Sequence, residues 1–224
     1  MNKILIPTAI LLAPVAATAA AASATPTLHT SQGCYLVGQR VAITGTGFAA
    51  ARTYQVAVDG LDFGFSTTDA SGAITGSLIP GGLGANVVQE AHVLSASDGT
   101  TQTDTTFTVT RTTGARIVTT TGAAATLGAP FQVWGFALDH GKPTSASGPT
   151  RLPVYVHYVD PHKHAITTVP IGHTRGQCGY LRTRARRVFP FVPSRGTWTL
   201  QVDSEAVYSA HPVGPEANIP VKVS

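Results

Sequence analysis

One pattern is written twice in this chain. Val41-Ala-Ile-Thr-Gly-Thr-Gly-Phe48 and Tyr54-Gln-Val-Ala-Val-Asp-Gly60 are echoed by Phe131-Gln-Val-Trp-Gly-Phe136 and Val154-Tyr-Val-His-Tyr-Val-Asp160. Each copy continues into an alternating segment with a polar tip, His92-Val-Leu-Ser-Ala-Ser-Asp98 in one and Trp198-Thr-Leu-Gln-Val-Asp203 in the other. Each closes on a further alternating segment, Thr105 to Val109 and Ile219 to Val223. A repeat of about one hundred residues is too long for a solenoid unit and suits a duplicated domain.

Residues 1–24 stand apart from the fold. Lys3 supplies an early positive charge, Ile4 to Val15 an apolar run, and Ala22-Ser-Ala24 a small-residue exit. These are the three parts of a cleaved secretory leader. The apolar run is shorter than the roughly 20 residues a spanning helix needs. Cys34 lies too far downstream to be a lipid-attachment cysteine. The expectation is a secreted product, extracellular or loosely associated with the cell wall, without a transmembrane anchor.

Charged residues make up only 12% of the chain, while Gly (23) and Pro (15) are frequent. No window after residue 24 carries the apolar spacing of an amphipathic helix. Strands are expected near 27–30, 41–45, 54–58, 63–67, 73–78, 91–96 and 105–110. Asp59-Gly60, Ser71-Gly72 and Asp98-Gly99 supply the positive-φ positions of tight turns. Tyr54, Val56 and Val58 share one face and are expected to point inward. Short strands punctuated in this way predict an all-β chain of two tandem immunoglobulin-like β-sandwich domains, over 27–110 and 129–224. Residues 111–128 read as a linker holding a possible first strand, and Leu138 to Thr150 as a long exposed insertion.

Gly45-Thr-Gly-Phe48, Tyr54-Gln-Val-Ala-Val-Asp-Gly60 and Thr68-Asp-Ala-Ser-Gly72 together resemble the bacterial immunoglobulin-like domains of the IPT/TIG kind, found in extracellular proteins of Gram-positive bacteria. The resemblance covers about eighty residues of the first half and only the strand framework of the second. It implies a sandwich fold and an extracellular setting; fold by itself does not imply function.

The two cysteines, Cys34 and Cys178, fall one in each half. An even count in an exported chain favours a disulfide between them, with free buried thiols or intermolecular pairing as the alternatives. If bonded, they tie the start of the first half to the middle of the second, making one rigid body.

Charge is divided unequally. Residues 27–110 hold two arginines against six carboxylates, a net of −4, whereas residues 111–224 hold twelve Lys and Arg against five carboxylates, a net of +7. Opposite signs favour contact between the halves. The basic excess concentrates in Arg175 and in Leu181-Arg-Thr-Arg-Ala-Arg-Arg187. As a strand, this run would place Arg182, Arg184 and Arg186 on one face. Such a ladder has three uses: a solvated edge that blocks sheet-to-sheet association, a contact with the acidic half, or a binding site. Guanidinium forks suit phosphates and carboxylates. The partners expected for a site are an anionic cell-envelope polymer or glycan, or another surface protein. Nucleic acid is not expected, because no aromatic residues interleave with the basic run.

Asp160-Pro-His-Lys-His164 follows His157 and Tyr158. Alternate imidazoles can share a metal, but Pro161 and Lys163 favour an exposed turn, and no metal or other cofactor is expected. The chain has no Gly-x-Ser-x-Gly elbow, no phosphate-cradling loop and no paired acids in a motif-like setting. A non-catalytic structural or interaction protein is therefore expected. An accessory or catalytic domain of an extracellular hydrolase is the alternative. Trp134, Phe136, Phe189, Phe191 and Trp198 are expected to fill the second core.

Overall fold

The computed structural model describes residues 25–118, 128–138 and 151–224. The expected leader, residues 119–127 of the expected linker and most of the expected insertion after Leu138 lie outside the described residues. Within them the chain is all-β, with no helix.

The first half forms β1 (Thr27–Thr30), β2 (Cys34–Leu36), β3 (Val41–Thr46), β4 (Thr53–Val58), β5 (Leu61–Thr67), β6 (Ile74–Leu78), β7 (Gln89–Ser97) and β8 (Gln102–Thr110). The second forms β9 (Gly114–Ile117), β10 (Phe131–Trp134), β11 (Pro153–Val159), β12 (Ala165–His173), β13 (Leu181–Arg182), β14 (Gly196–Asp203) and β15 (Glu216–Val223). The sequence repeat is also a repeat of topology. A three-stranded sheet β1-β3-β6 has its counterpart in β9-β10-β13, and the order β8-β7-β4-β5 has its counterpart in β15-β14-β11-β12. The first half adds β2, which joins β8 in parallel.

Local chemistry explains the strands. Val41–Thr46 alternates buried and exposed along its whole length, as a half-buried strand must. The β4–β5 hairpin turns on Asp59 (φ 52°) and Gly60 (φ 78°), the paired positive-φ geometry that matches strand twist. Gly72 (φ 75°) is held more tightly, because a Cβ there would lie 2.0 Å from the Phe48 carbonyl oxygen.

Each pair of sheets encloses its own apolar core. In the first, Tyr35, Val41, Ile74, Leu94, Phe107 and Val109 are among the residues sealed from solvent. Tyr54 and Val58 join them, with Val56 packed alongside, as the alternation of β4 predicts. In the second, Phe131, Val133, Phe136, Val154, Val156, Leu200 and Val202 are sealed. Full burial of each such side chain stabilises by roughly 1.5–3 kcal/mol. Phe189 and Phe191 close one end against Trp198, each ring centroid 5.4 Å from the indole. Trp134 departs from expectation. It leaves the core, lies 5.9 Å beneath the Arg116 guanidinium and donates from Nε1 to the Thr112 carbonyl.

Three residues, 111–113, separate β8 from β9. They are tied down: Arg111 donates from its side chain to the Val87 and Gly84 carbonyls, and Arg116 of β9 reaches the Asn86 carbonyl at 3.2 Å. Cys34 and Cys178 are joined by a disulfide, with Cα atoms 5.1 Å apart. Leu36 and Leu138 pack around it as a small third cluster. Leu138, expected at the mouth of an exposed loop, is thus buried against the bond between the two halves.

Candidate anion-binding groove

β12 is an edge of the four-stranded sheet and β13 an edge of the facing three-stranded sheet. Because the edges are not hydrogen-bonded to each other, the second sandwich has an open seam there. The seam is a groove of about 820 Å³ with Ile171 and Leu181 among its lining residues. Around it stand Arg151, Arg175, Arg182, Arg184 and Arg186, together with His173. Among the described residues no carboxylate lines the groove, and none of these five guanidiniums forms an ion pair.

The basic run is not one continuous strand. Leu181 and Arg182 pair with Val133 and Gln132, and Thr183 donates its N–H to the Phe131 carbonyl. Ala129 and Arg186 then exchange two backbone hydrogen bonds. Four steps along this run therefore oppose three along its partner, which is the signature of a bulge. The Thr183 hydroxyl fills the break, accepting from the Phe131 N–H and donating to the Arg184 carbonyl. Arg182 and Arg184 stay exposed, while Arg186 turns partly inward. Its Nη1 meets the Pro170 carbonyl across the seam at 3.5 Å. Its charge also reaches Tyr158, where burial raises the hydroxyl pKa and Arg186 partly offsets the rise.

Arg175 was legible beside this run as part of the basic excess, whereas Arg151, further off in the sequence, was not; pairing of the chain around them gathers both at the groove. Arg175 and Tyr180 exchange backbone hydrogen bonds at 2.8 Å, closing a tight loop with Cys178 near its tip. The disulfide therefore anchors one wall of the groove. Contact with the acidic half was one of the three uses open to the ladder; among the described residues no ion pair or hydrogen bond joins these arginines to that half, and the groove is lined by residues of the second half.

The matching seam of the first sandwich, between β5 and β6, offers a contrast. It is smaller, about 260 Å³, and is lined by Phe63, Phe65, Tyr54, Val56 and other uncharged residues. The same architecture thus carries an apolar seam in one copy and a cationic one in the other.

The three histidines between 157 and 164 divide into two environments. His162 and His164 lie in the β11–β12 turn, where Asp160 Oδ1 accepts both of their backbone N–H groups at 2.8 Å. His157 is sealed on the far face of its sheet. Its Nδ1 lies 2.7 Å from the Thr168 hydroxyl and its Nε2 3.0 Å from Asp203 Oδ1. Asp203 also accepts from Gln201 Nε2 and the Glu205 N–H. Among the described residues no group of three or more His, Cys, Asp and Glu side chains is placed to hold a metal ion, and no helix is long and apolar enough to cross a membrane.

No family model matches this chain, and no curated protein matches it. Among solved structures, it is similar to the β-glucuronidase of Parabacteroides merdae at 11% identity and a TM-score of 0.27, over 89% of this chain and 25% of that one. The chain spans about a quarter of that enzyme's length, and a likeness this slight carries no conclusion about activity.

Proposed function

We propose that this chain is an exported, non-catalytic binding protein that holds an anionic polymer of the cell exterior in the groove between β12 and β13. The observation that carries the reading is the gathering of five arginines around one seam with no carboxylate to neutralise them. Guanidiniums crowded together repel one another, so an unpaired cluster is relieved by a ligand bearing several negative charges. Protection of an edge strand does not account for the whole set. Arg182 and Arg184 serve that purpose, whereas Arg151 and Arg175 stand off the β13 edge. The uncharged seam of the first sandwich shows that the architecture does not itself demand arginine.

The setting is supported by the disulfide, which persists in oxidising compartments, and by the leader-like residues 1–24. The resemblance of the first half to IPT/TIG-like domains belongs to the same reading. Co-sedimentation with cell-envelope fractions tests it. The protein is expected to pellet with the envelope at low salt and to be released as salt rises, and the Arg182→Gln, Arg184→Gln, Arg186→Gln variant is expected to stay in solution. Unchanged association of that variant at low salt rejects the reading.

A further inference from the structure

We infer that the ligand of the arginine groove is a phosphodiester-linked polyol chain, not an acidic polysaccharide. The inference rests on the binding reading above and specifies the chemistry of its ligand.

The side chains of the groove are mostly donors, five guanidiniums among them, while acceptors come from the backbone of the two sheet edges. Among the described residues no Asp, Glu, Asn or Gln side chain lines it. The neutral hydroxyls are occupied: Thr183 donates to the Arg184 carbonyl, and the Tyr180 hydroxyl accepts from Gln132 Nε2. A polysaccharide of linked uronic acids carries two hydroxyl donors and a rigid ring for each carboxylate. Seated here, those donors would lose water and find few side-chain acceptors, a cost of about 1–3 kcal/mol for each one left unpaired. Nor does the groove offer a broad ring platform, since Tyr180 is the one Phe, Tyr or Trp side chain along it. A chain of three-carbon polyols linked by phosphodiesters carries one hydroxyl for each phosphate and no ring, and every guanidinium fork can meet two phosphate oxygens at once.

Spacing points the same way. Arg182 and Arg184 are both exposed and lie two residues apart on backbone that Thr183 keeps paired to Phe131. Two residues span about six backbone bonds, the same number that separates successive phosphates in a chain of three-carbon polyols linked by phosphodiesters. The backbone interval between these two arginines therefore equals the interval between charges along such a ligand. Single-stranded nucleic acid shares this repeat and this anion, but its bases need aromatic side chains on which to stack, and the groove does not provide a row of them.

Titration calorimetry of the leader-free protein at one fixed ionic strength tests the inference with three probes matched in number of charges: poly(glycerol phosphate), polygalacturonate and a mixed-sequence single-stranded oligonucleotide. Poly(glycerol phosphate) is expected to bind at least tenfold more tightly than polygalacturonate and more tightly than the oligonucleotide. The Arg182→Gln, Arg184→Gln variant, altered only at exposed side chains, is expected to lose most of that affinity while keeping its melting temperature. Equal or tighter binding of polygalacturonate overturns the phosphodiester assignment and leaves the groove reading standing. Equal or tighter binding of the oligonucleotide overturns the polyol. Absence of binding by all three probes, or binding that the variant does not weaken, overturns the groove reading itself.

Discussion

His157 Nε2 lies 3.0 Å from Asp203 Oδ1, and neither side chain reaches solvent. The two come from neighbouring strands of one sheet, where His157 is directly opposite Gln201 and Asp203 stands two residues further along. The segment between β14 and β15 covers them: Tyr208 sets its ring edge against the imidazole, and the Ser209 carbonyl accepts from Gln201. Asp203 thus accepts from three donors inside a face that would otherwise be open to water.

Removal of the carboxylate is expected to destabilise the second sandwich strongly. Asp203→Ala leaves the His157, Gln201 and Glu205 donors without their acceptor, and breaking such a buried network costs about 3–5 kcal/mol. Urea denaturation is the measurement. His157→Ala in the Asp203→Ala background is expected to add much less than it does alone, because the pair is already broken.

Loss of the disulfide is expected to separate the halves without unfolding either core. Cys34 and Cys178 are 144 residues apart, and closure of so long a loop contributes up to about 5 kcal/mol in the chain-entropy view. Neither principal core contains a cysteine. The Cys34→Ser, Cys178→Ser variant should melt at a lower temperature in calorimetry, with its strand content retained in circular dichroism. A non-reduced digest of the unaltered protein should yield the two cysteine peptides as one linked species; free thiols at both positions would contradict this.

The two glycine turns of the first sandwich should respond differently to alanine. Gly60 and Gly72 share a positive φ, but a Cβ at Gly60 meets nothing within 4 Å, whereas at Gly72 it strikes the Phe48 carbonyl. Gly60→Ala is expected to cost about 1 kcal/mol from backbone conformation alone. Gly72→Ala should cost at least twice as much, since the turn leading into β6 must shift away from Phe48 as well. Equal unfolding midpoints for the two variants would show that backbone conformation, and not the close approach, sets the penalty.

Acid is expected to weaken the protein through its turn aspartates. Burial by itself raises the Asp59 carboxyl, but hydrogen bonds from His92 and the Val93 N–H more than offset this and hold it below its ordinary value. The Thr100 hydroxyl, with the Thr101, Thr100 and Ala49 N–H groups, holds Asp98 lower still, and the Ser71 hydroxyl does the same for Asp69. A carboxyl depressed in the folded state adds stability above its unfolded pKa and loses it as pH falls through the folded one. Unfolding midpoints should therefore be flat near neutrality and decline below about pH 4. Asp98→Asn is expected to flatten that decline.

Much of this architecture was legible because turn chemistry and alternation are local. β1 occupies the expected residues, and β3, β4 and β6 lie within a residue of expectation at each end. The Asp59-Gly60 and Ser71-Gly72 turns fall where their glycines require them. β2 was not legible, since three residues pairing in parallel with a distant strand leave no periodic trace. The His157 and Asp203 network was hidden for another reason: polar residues at alternate positions read as a solvent face, and only the covering segment turns that face into an interior. Trp134 misled in the opposite direction, as an aromatic residue whose strand delivers it to the junction between the halves. Arg182, Arg184 and Arg186 were visible as a run. Arg175 was visible beside them, but the addition of Arg151 and the closure of one groove are properties of two sheet edges that sequence order does not record.

The loop from Arg175 to Tyr180 supplies a groove wall and holds Cys178 near its tip, so the groove is bolted to the opposite sandwich by a covalent link. Under the proposed function, tension on a polymer held at Arg175 would travel through sulfur into β2 and from there into β8, bypassing the three-residue crossing at 111–113. The parallel hydrogen bonds of β2 with β8 would then share the load as a lap joint does, and both sandwiches would move with the tether.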